Sequence, residues 1–229
     1  MRTRHYVSIA IASTAVLAVT ATAAAQEKPT GLLNTLEVRQ LVARAEPADN
    51  ARLGVYFVAL AERYAAEAKR HRSMSQSFVG NPSRNLGTGM SAHCKRLADL
   101  NTESATTARE LAAYHEKLAS GASATLPRDA PRFHGGAGAP EPTENELNAL
   151  AAKARTPAEH HALEEYFLTL ANRYTTDGNE HVTLAQTYRG TRIAWAAAHH
   201  DRLARLARDA AKEASEAADL HKQLANVGR

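Results

Sequence analysis

The stretch YFVALAERYAAEAKRHRSMSQSFVG at residues 56–80 recurs 110 residues later as YFLTLANRYTTDGNEHVTLAQTYRG at residues 166–190. A second block recurs 106 residues later, and its matched histidines are His93 with His199 and His115 with His221. Self-similarity of this length indicates a duplicated supersecondary unit. In both copies the apolar residues follow at steps of three and four, as on the buried face of a helix. The repeat therefore predicts an all-α protein.

Each copy is predicted to contain a short helix followed by two long ones. The short helices open with capping boxes at Asn34–Glu37 and Thr143–Glu146, in which a side chain at each position satisfies a backbone N–H of the other. Pro47 and Pro157 follow as the first residues of long helices, where proline is favoured. Thr156 is a good N-cap for the second of these.

The long helices are expected to pair as two tandem hairpins that form an antiparallel four-helix bundle. The predicted hairpins are residues 47–79 with 90–119 and residues 157–190 with 193–225. Asn81-Pro82-Ser83 and Gly87-Thr88-Gly89 are expected to form the loop of the first hairpin. The domains are a signal peptide at 1–25, hairpin repeats at 31–120 and 143–229, and a Pro/Gly-rich linker at 121–142.

The N-terminus has the pattern of a secretory signal peptide. Arg2 and Arg4 precede an apolar run from Tyr6 to about Val19, and three alanines end at Ala25. The run is shorter than the ~20 residues of a spanning helix, so cleavage is favoured over an uncleaved anchor. We therefore expect a periplasmic or secreted protein with no membrane span after cleavage.

The charge and the cysteine content of the sequence reduce the range of functions that it favours. Without Arg2 and Arg4, 26 Lys and Arg residues face 24 Asp and Glu residues, a net charge of +2. Because these charges alternate along helix faces, the sequence predicts no nucleic-acid binding. Cys94 is the only cysteine, so the chain has no internal disulfide and its thiol is buried, paired with another chain or a metal ligand.

The histidines provide the functional hypothesis. If both hairpin loops lie at one end of the bundle, His71, His93, His181 and His199 project toward the axis at one level, flanked by Cys94 and His200. Imidazole and thiolate are ligands for copper or zinc, and bundle cores are common places for such sites. Glu67 and Asp177, one helical turn before His71 and His181, could orient the imidazoles or bind the metal directly.

Two alternatives remain open at the sequence level. The histidines could be packing residues of a structural or partner-binding bundle, or a pair of them could hold noncovalent haem. A second group near the other end, His115, His160, His161 and His221, is interpreted as structural because only two of its members are matched. Haem-attachment, di-iron, zinc-protease and nucleotide-binding motifs are absent from the sequence, which favours a non-enzymatic protein.

Overall fold

A computed structural model of the chain describes residues 33–81, 84–119 and 142–227. All regular secondary structure in these ranges is α-helical, which confirms the predicted fold class. The helices are α1 (Thr35–Arg44), α2 (Pro47–Val79), α3 (Arg84–Leu118), α4 (Glu144–Lys153), α5 (Pro157–Arg189) and α6 (Ala194–Val227). The predicted signal peptide and residues 121–141 of the predicted linker lie outside the described residues.

The local signals at the helix starts are confirmed. Asn34 and Glu37 form a capping box on α1, and Thr143 and Glu146 form one on α4. Thr156 caps α5, where its side chain accepts a hydrogen bond from the backbone N–H three residues later. These contacts satisfy N–H groups that have no partner inside the helix, so α1, α4 and α5 each begin directly after a capping residue.

The predicted loop at Gly87–Gly89 is wrong, because α3 already begins at Arg84. Glycine inside a helix costs only about 1 kcal/mol relative to alanine, so tertiary contacts can override its turn preference. Gly89 lies close to α6, where a side-chain carbon added to it would be 3.4 Å from Cδ2 of Leu220. This is an ordinary van der Waals distance, so Gly89 lies beside α6 but the packing of α3 and α6 does not require glycine there.

The four long helices make contacts that fit a four-helix bundle. α2 packs mainly along α3, α5 packs mainly along α6, and α3 and α6 contact each other. The short helices α1 and α4 each contact both α2 and α5. The apolar core has two clusters, one that includes Phe57 and Tyr188 and another that includes Phe167 and Phe78. No described helix combines the length and apolar character needed to cross a bilayer.

α3 and α6 run antiparallel. Near the start of α3, Nδ1 of His93 is 2.8 Å from Oε2 of Glu213 late in α6. Near the end of α3, Oε2 of Glu110 is 3.2 Å from Nε2 of His199 early in α6. The turn after α2 and the turn after α5 therefore lie at opposite ends of the molecule.

α2 and α5 are antiparallel as well, and ion pairs join their middles. Arg63 binds Asp177 at 2.6 Å, and Arg173 binds Glu67 at 2.8 Å. Arg63 and Arg173 are matched positions of the two repeats, as are Glu67 and Asp177. Parallel hairpins would place these matched residues, which carry like charges, at the same level. The antiparallel arrangement instead places each guanidinium beside a carboxylate, where Coulomb attraction stabilises the contact.

Candidate metal site

The predicted histidine layer requires both hairpin turns at one end of the bundle. The two turns lie at opposite ends, so the layer does not form. His71, Cys94, His181 and His200 are buried, whereas His93 and His199 are partly exposed. Because the hairpins are reversed, the first-repeat residues lie toward one end and their second-repeat counterparts toward the other. The six residues predicted to form the layer therefore do not converge at one level of the bundle. The structure distributes them over separate places: His71, His93, Cys94, His181, His199 and His200.

His181 and His200 form a buried pair. Their Nδ1 atoms are 3.2 Å apart, and Nε2 of His181 is 3.0 Å from the hydroxyl of Tyr64. The ring of Tyr188 stacks on His200 with centroids 5.1 Å apart. Burial lowers the pKa of His181 to about 3 and that of His200 well below its ordinary value. Both rings are therefore neutral at physiological pH.

His71 and Cys94 occupy the corresponding positions toward the other end. Neither ring nitrogen of His71 has a hydrogen-bond partner among the described residues, although a Glu67 oxygen is 3.8 Å from Nε2. Burial lowers the pKa of His71 to about 4. Cys94 belongs to an apolar cluster with Met74 and Met90, and burial raises the pKa of its thiol. Because a metal binds the thiolate, this environment disfavours Cys94 as a ligand.

The carboxylates expected to orient the imidazoles have other partners. Asp177 binds Arg63 and not His181, so this part of the prediction is wrong. Glu67 contacts His71 but also binds Arg173 and Arg70. Burial opposes ionisation of Glu67, yet the two guanidinium groups outweigh it and hold its pKa below the ordinary value.

The second predicted histidine group also divides between the two ends. Nδ1 of His115 is 2.9 Å from Oδ1 of Asn50, and its Nε2 is 2.9 Å from the Tyr188 hydroxyl. Nδ1 of His160 is 3.2 Å from Nδ1 of His221. These rings are buried and hydrogen-bonded, an arrangement that fits the structural interpretation.

The described residues contain a group of potential metal ligands on the face shared by α3 and α6. It consists of His93, Glu213 and Glu216, whose ligand atoms all lie within 4.8 Å of one another. Nδ1 of His93 is 2.8 Å from Oε2 of Glu213 and 3.9 Å from Oε2 of Glu216. Glu213 and Glu216 are three residues apart on α6 and therefore project from the same side of that helix.

These spacings fit a small divalent ion. Zinc bonds of about 2.1 Å at tetrahedral angles place ligand atoms about 3.4 Å apart, which lies between the two observed distances. The side chains of His93 and Glu213 are 15% exposed and that of Glu216 is 44% exposed. An ion can therefore enter from solvent, and a water molecule can complete the coordination.

Arg96 lies at the same site and supplies a positive charge. Its Nε is 2.7 Å from Oε1 of Glu213, and its Nη2 is 2.9 Å from Nδ1 of His93. Burial opposes ionisation of Glu213, but contacts with His93 and Arg96 hold the pKa of this carboxyl below its ordinary value. Glu213 is therefore a carboxylate, the form that binds metal, at neutral pH.

The other half of the molecule carries an incomplete version of this group. His199 and Glu110 stand 106 positions from His93 and Glu216, and they also face each other across α3 and α6. Thr107 stands where the third ligand, Glu213, would be. Sequence reasoning missed both glutamates of the complete group. The signal in the sequence was a common spacing of 106 residues, which separates His93 from His199 and also Glu110 from Glu216.

Comparisons with protein-family models, with curated proteins and with solved structures give no match for this chain.

Proposed function

We propose that this chain is an exported bundle of two tandem hairpin repeats that binds a divalent transition metal ion, zinc or copper, through His93, Glu213 and Glu216. The observation that supports the proposal is the clustering of three ligand atoms within 4.8 Å, contributed by two helices. One imidazole with two carboxylates suits zinc, and copper binds most such sites more tightly. Export is supported by the signal-peptide pattern at residues 1–25.

The buried histidine pairs give less support to metal binding than this surface group. The His181–His200 pair has a phenol hydroxyl next to it, and within the described residues it belongs to no cluster of three potential metal ligands. The Nδ1 atoms of its two imidazoles are 3.2 Å apart, too close for a haem iron to lie between them. Haem bound between this pair is therefore disfavoured.

Zinc titration of the purified protein tests the proposal. We expect one zinc ion per chain by isothermal titration calorimetry at pH 7.5, with the affinity falling at least tenfold in Glu213→Gln. Glutamine keeps the size of the side chain but removes the negative charge that the ion needs. Circular dichroism should show unchanged helix content, because Glu213 is partly exposed.

Glu110→Gln is the matched control, since Glu110 faces His199 in the incomplete group. It should leave the zinc affinity of the protein unchanged. An equal loss of affinity in both variants would mean that zinc binds through general surface charge. Absence of stoichiometric binding to the wild-type protein would refute the proposed function and favour a structural bundle.

A further inference from the structure

A cavity of about 230 Å³ lies between α2, α5 and the residues that lead into α1. Its walls carry the polar residues Tyr56, Arg63, Asp177, Glu180 and His181, with Leu60 beside them. Leu33 and Asn34, at the start of α1, close another side. The cavity is separate from the proposed metal site on α3 and α6.

The size and lining of the cavity fit a small organic molecule. A water molecule occupies about 30 Å³ in the liquid, so the cavity has room for roughly seven non-hydrogen atoms. The two leucines offer apolar surface for an aliphatic body. A bare metal ion fits poorly, because Asp177, Glu180 and His181 do not form one of the compact ligand groups found in the described part of the chain.

The charges around the cavity favour a cation. Arg63 supplies one positive charge, while Asp177 and Glu180 supply two negative charges, so their sum is −1. His181 does not offset this sum, because burial lowers its pKa to about 3 and the ring is neutral at pH 7. Burial and the neighbouring Asp177 also raise the pKa of Glu180. A cation between these carboxylates would relieve their repulsion.

The corresponding place in the other half of the molecule has the opposite charge. Residues 110 positions apart supply two guanidinium groups and one carboxylate there, a sum of +1: Arg70, Arg173 and Glu67. Glu180 thus stands where the other repeat has Arg70. The place in the first repeat therefore contains a second positive charge of the protein, that of Arg70. The cavity has the carboxylate of Glu180 at the matched position and lacks that charge.

The hydroxyl of Tyr56 adds a polar group that points to a ligand. Tyr56 is 8% exposed and lines the cavity, yet within the described ranges no residue forms a hydrogen bond with its hydroxyl. The Tyr56 side chain lines the cavity, so its oxygen is available as an acceptor there. An ammonium group in the cavity would donate a hydrogen bond to this oxygen.

We propose that this cavity binds a small primary ammonium ion with a short aliphatic body. Asp177, Glu180 and the Tyr56 oxygen would accept hydrogen bonds from the three N–H donors of the ammonium. Leu33 and Leu60 would contact the carbon chain. The binding is noncovalent and needs no metal.

Titration with n-butylammonium chloride tests the proposal, with 1-butanol and sodium butyrate as probes of equal length but different charge. Wild-type protein should bind one butylammonium per chain, and at least tenfold more tightly than either comparison compound. Glu180→Gln should weaken butylammonium binding about tenfold. Glu180→Arg, which copies the residue of the other repeat, should abolish it. Tyr56→Phe should weaken it several-fold.

Glu165→Gln is the control, because Glu165 is exposed on the same helix and does not line the cavity. Its affinity for butylammonium should equal that of the wild type. Butyrate or butanol binding as tightly as the amine, or no saturable binding of the amine, would overturn the proposal. These comparisons use the wild-type protein and so remain decisive even if a variant fails to fold. An equal loss in Glu165→Gln would also overturn it.

Discussion

Arg96 contacts the proposed metal ligands, and these contacts give it a specific role at the site. Its guanidinium contacts Glu213 and His93, two of the three proposed ligands. A bound metal ion would neutralise the same carboxylate as this guanidinium, and the two could not both occupy the position between the ligands. Arg96 should therefore act as an internal competitor that the ion displaces.

Replacing Arg96 by glutamine should increase zinc affinity. The expected gain is roughly five- to tenfold, because a partly exposed ion pair contributes on the order of 1 kcal/mol. Competition with a chelator of known zinc affinity measures the change. Arg202→Gln is the control, since Arg202 occupies the matched position 106 residues later. A decrease in zinc affinity for Arg96→Gln would show that Arg96 positions the ligands and does not compete with the ion.

The two short helices end differently although they are equal in length. The residue that follows α1, its C-cap Ala45, has φ 54° and lies in the left-handed region. The residue that follows α4, its C-cap Ala154, has φ −54° and is buried. The left-handed conformation costs an L-residue roughly 1 kcal/mol, a cost that glycine does not have. The end of α1 is therefore a place where the native backbone is strained.

Ala45→Gly should stabilise the protein. The expected gain is roughly 0.5–1 kcal/mol, since relief of the strain exceeds the extra entropy that glycine has in the unfolded chain. Urea unfolding followed by circular dichroism measures it. Ala154→Gly should destabilise, because its φ is already favourable and the substitution removes a buried methyl group. Destabilisation by both substitutions would mean that Ala45 is not strained.

At the scale of the whole molecule, neutral histidines are buried toward both ends of the bundle. Burial lowers the pKa values of His71 and His115 to about 4 and those of His181 and His221 to about 3. In the unfolded chain a histidine has a pKa of about 6.5. Between these values the unfolded state binds more protons than the folded state, so folding stability falls as pH falls.

We expect the free energy of unfolding to be unchanged between pH 8 and 7 and to decrease steadily from about pH 6.5 toward pH 4. Each of these histidines can contribute up to about 1.4 kcal/mol per pH unit in that window. Asp177 and Glu180, whose pKa values burial raises, act in the opposite direction. Urea unfolding at pH 5, 6 and 7 measures the slope.

His71→Leu should make this slope shallower, because it removes a titrating group whose nitrogens have no hydrogen-bond partner in the described structure. His161→Gln should leave the slope unchanged, because His161 is exposed and its pairing with Glu164 is a surface contact. Equal slopes in the wild-type protein and His71→Leu would show that His71 does not contribute to the acid sensitivity.

The sequence predicted that the chain is helical and where α1, α2, α4 and α5 begin. These features could be predicted because the forces that set them act over a few residues. The capping residues Asn34 and Thr143 each bind a partner three positions away, and Pro47 and Pro157 restrict their own backbone. The apolar periodicity likewise depends only on local helix geometry. The loop at Gly87–Gly89 was mispredicted because glycine lowers helix propensity by only about 1 kcal/mol, a local preference that the packing of α3 against α2 and α6 outweighs.

The candidate sites depended on the relative orientation of the two halves, which local signals do not encode. The linker at 121–142 is long enough to allow either orientation, and opposite charges at Arg63 and Asp177 favour the reversed one. That choice separated His71 from His181 and brought His93 to Glu213 and Glu216. The sequence by itself thus determined the helices, their caps and the matched histidines. Tertiary packing alone decided that His93 meets Glu213 and Glu216 and that His199 meets Glu110, because these contacts join residues from distant parts of the chain.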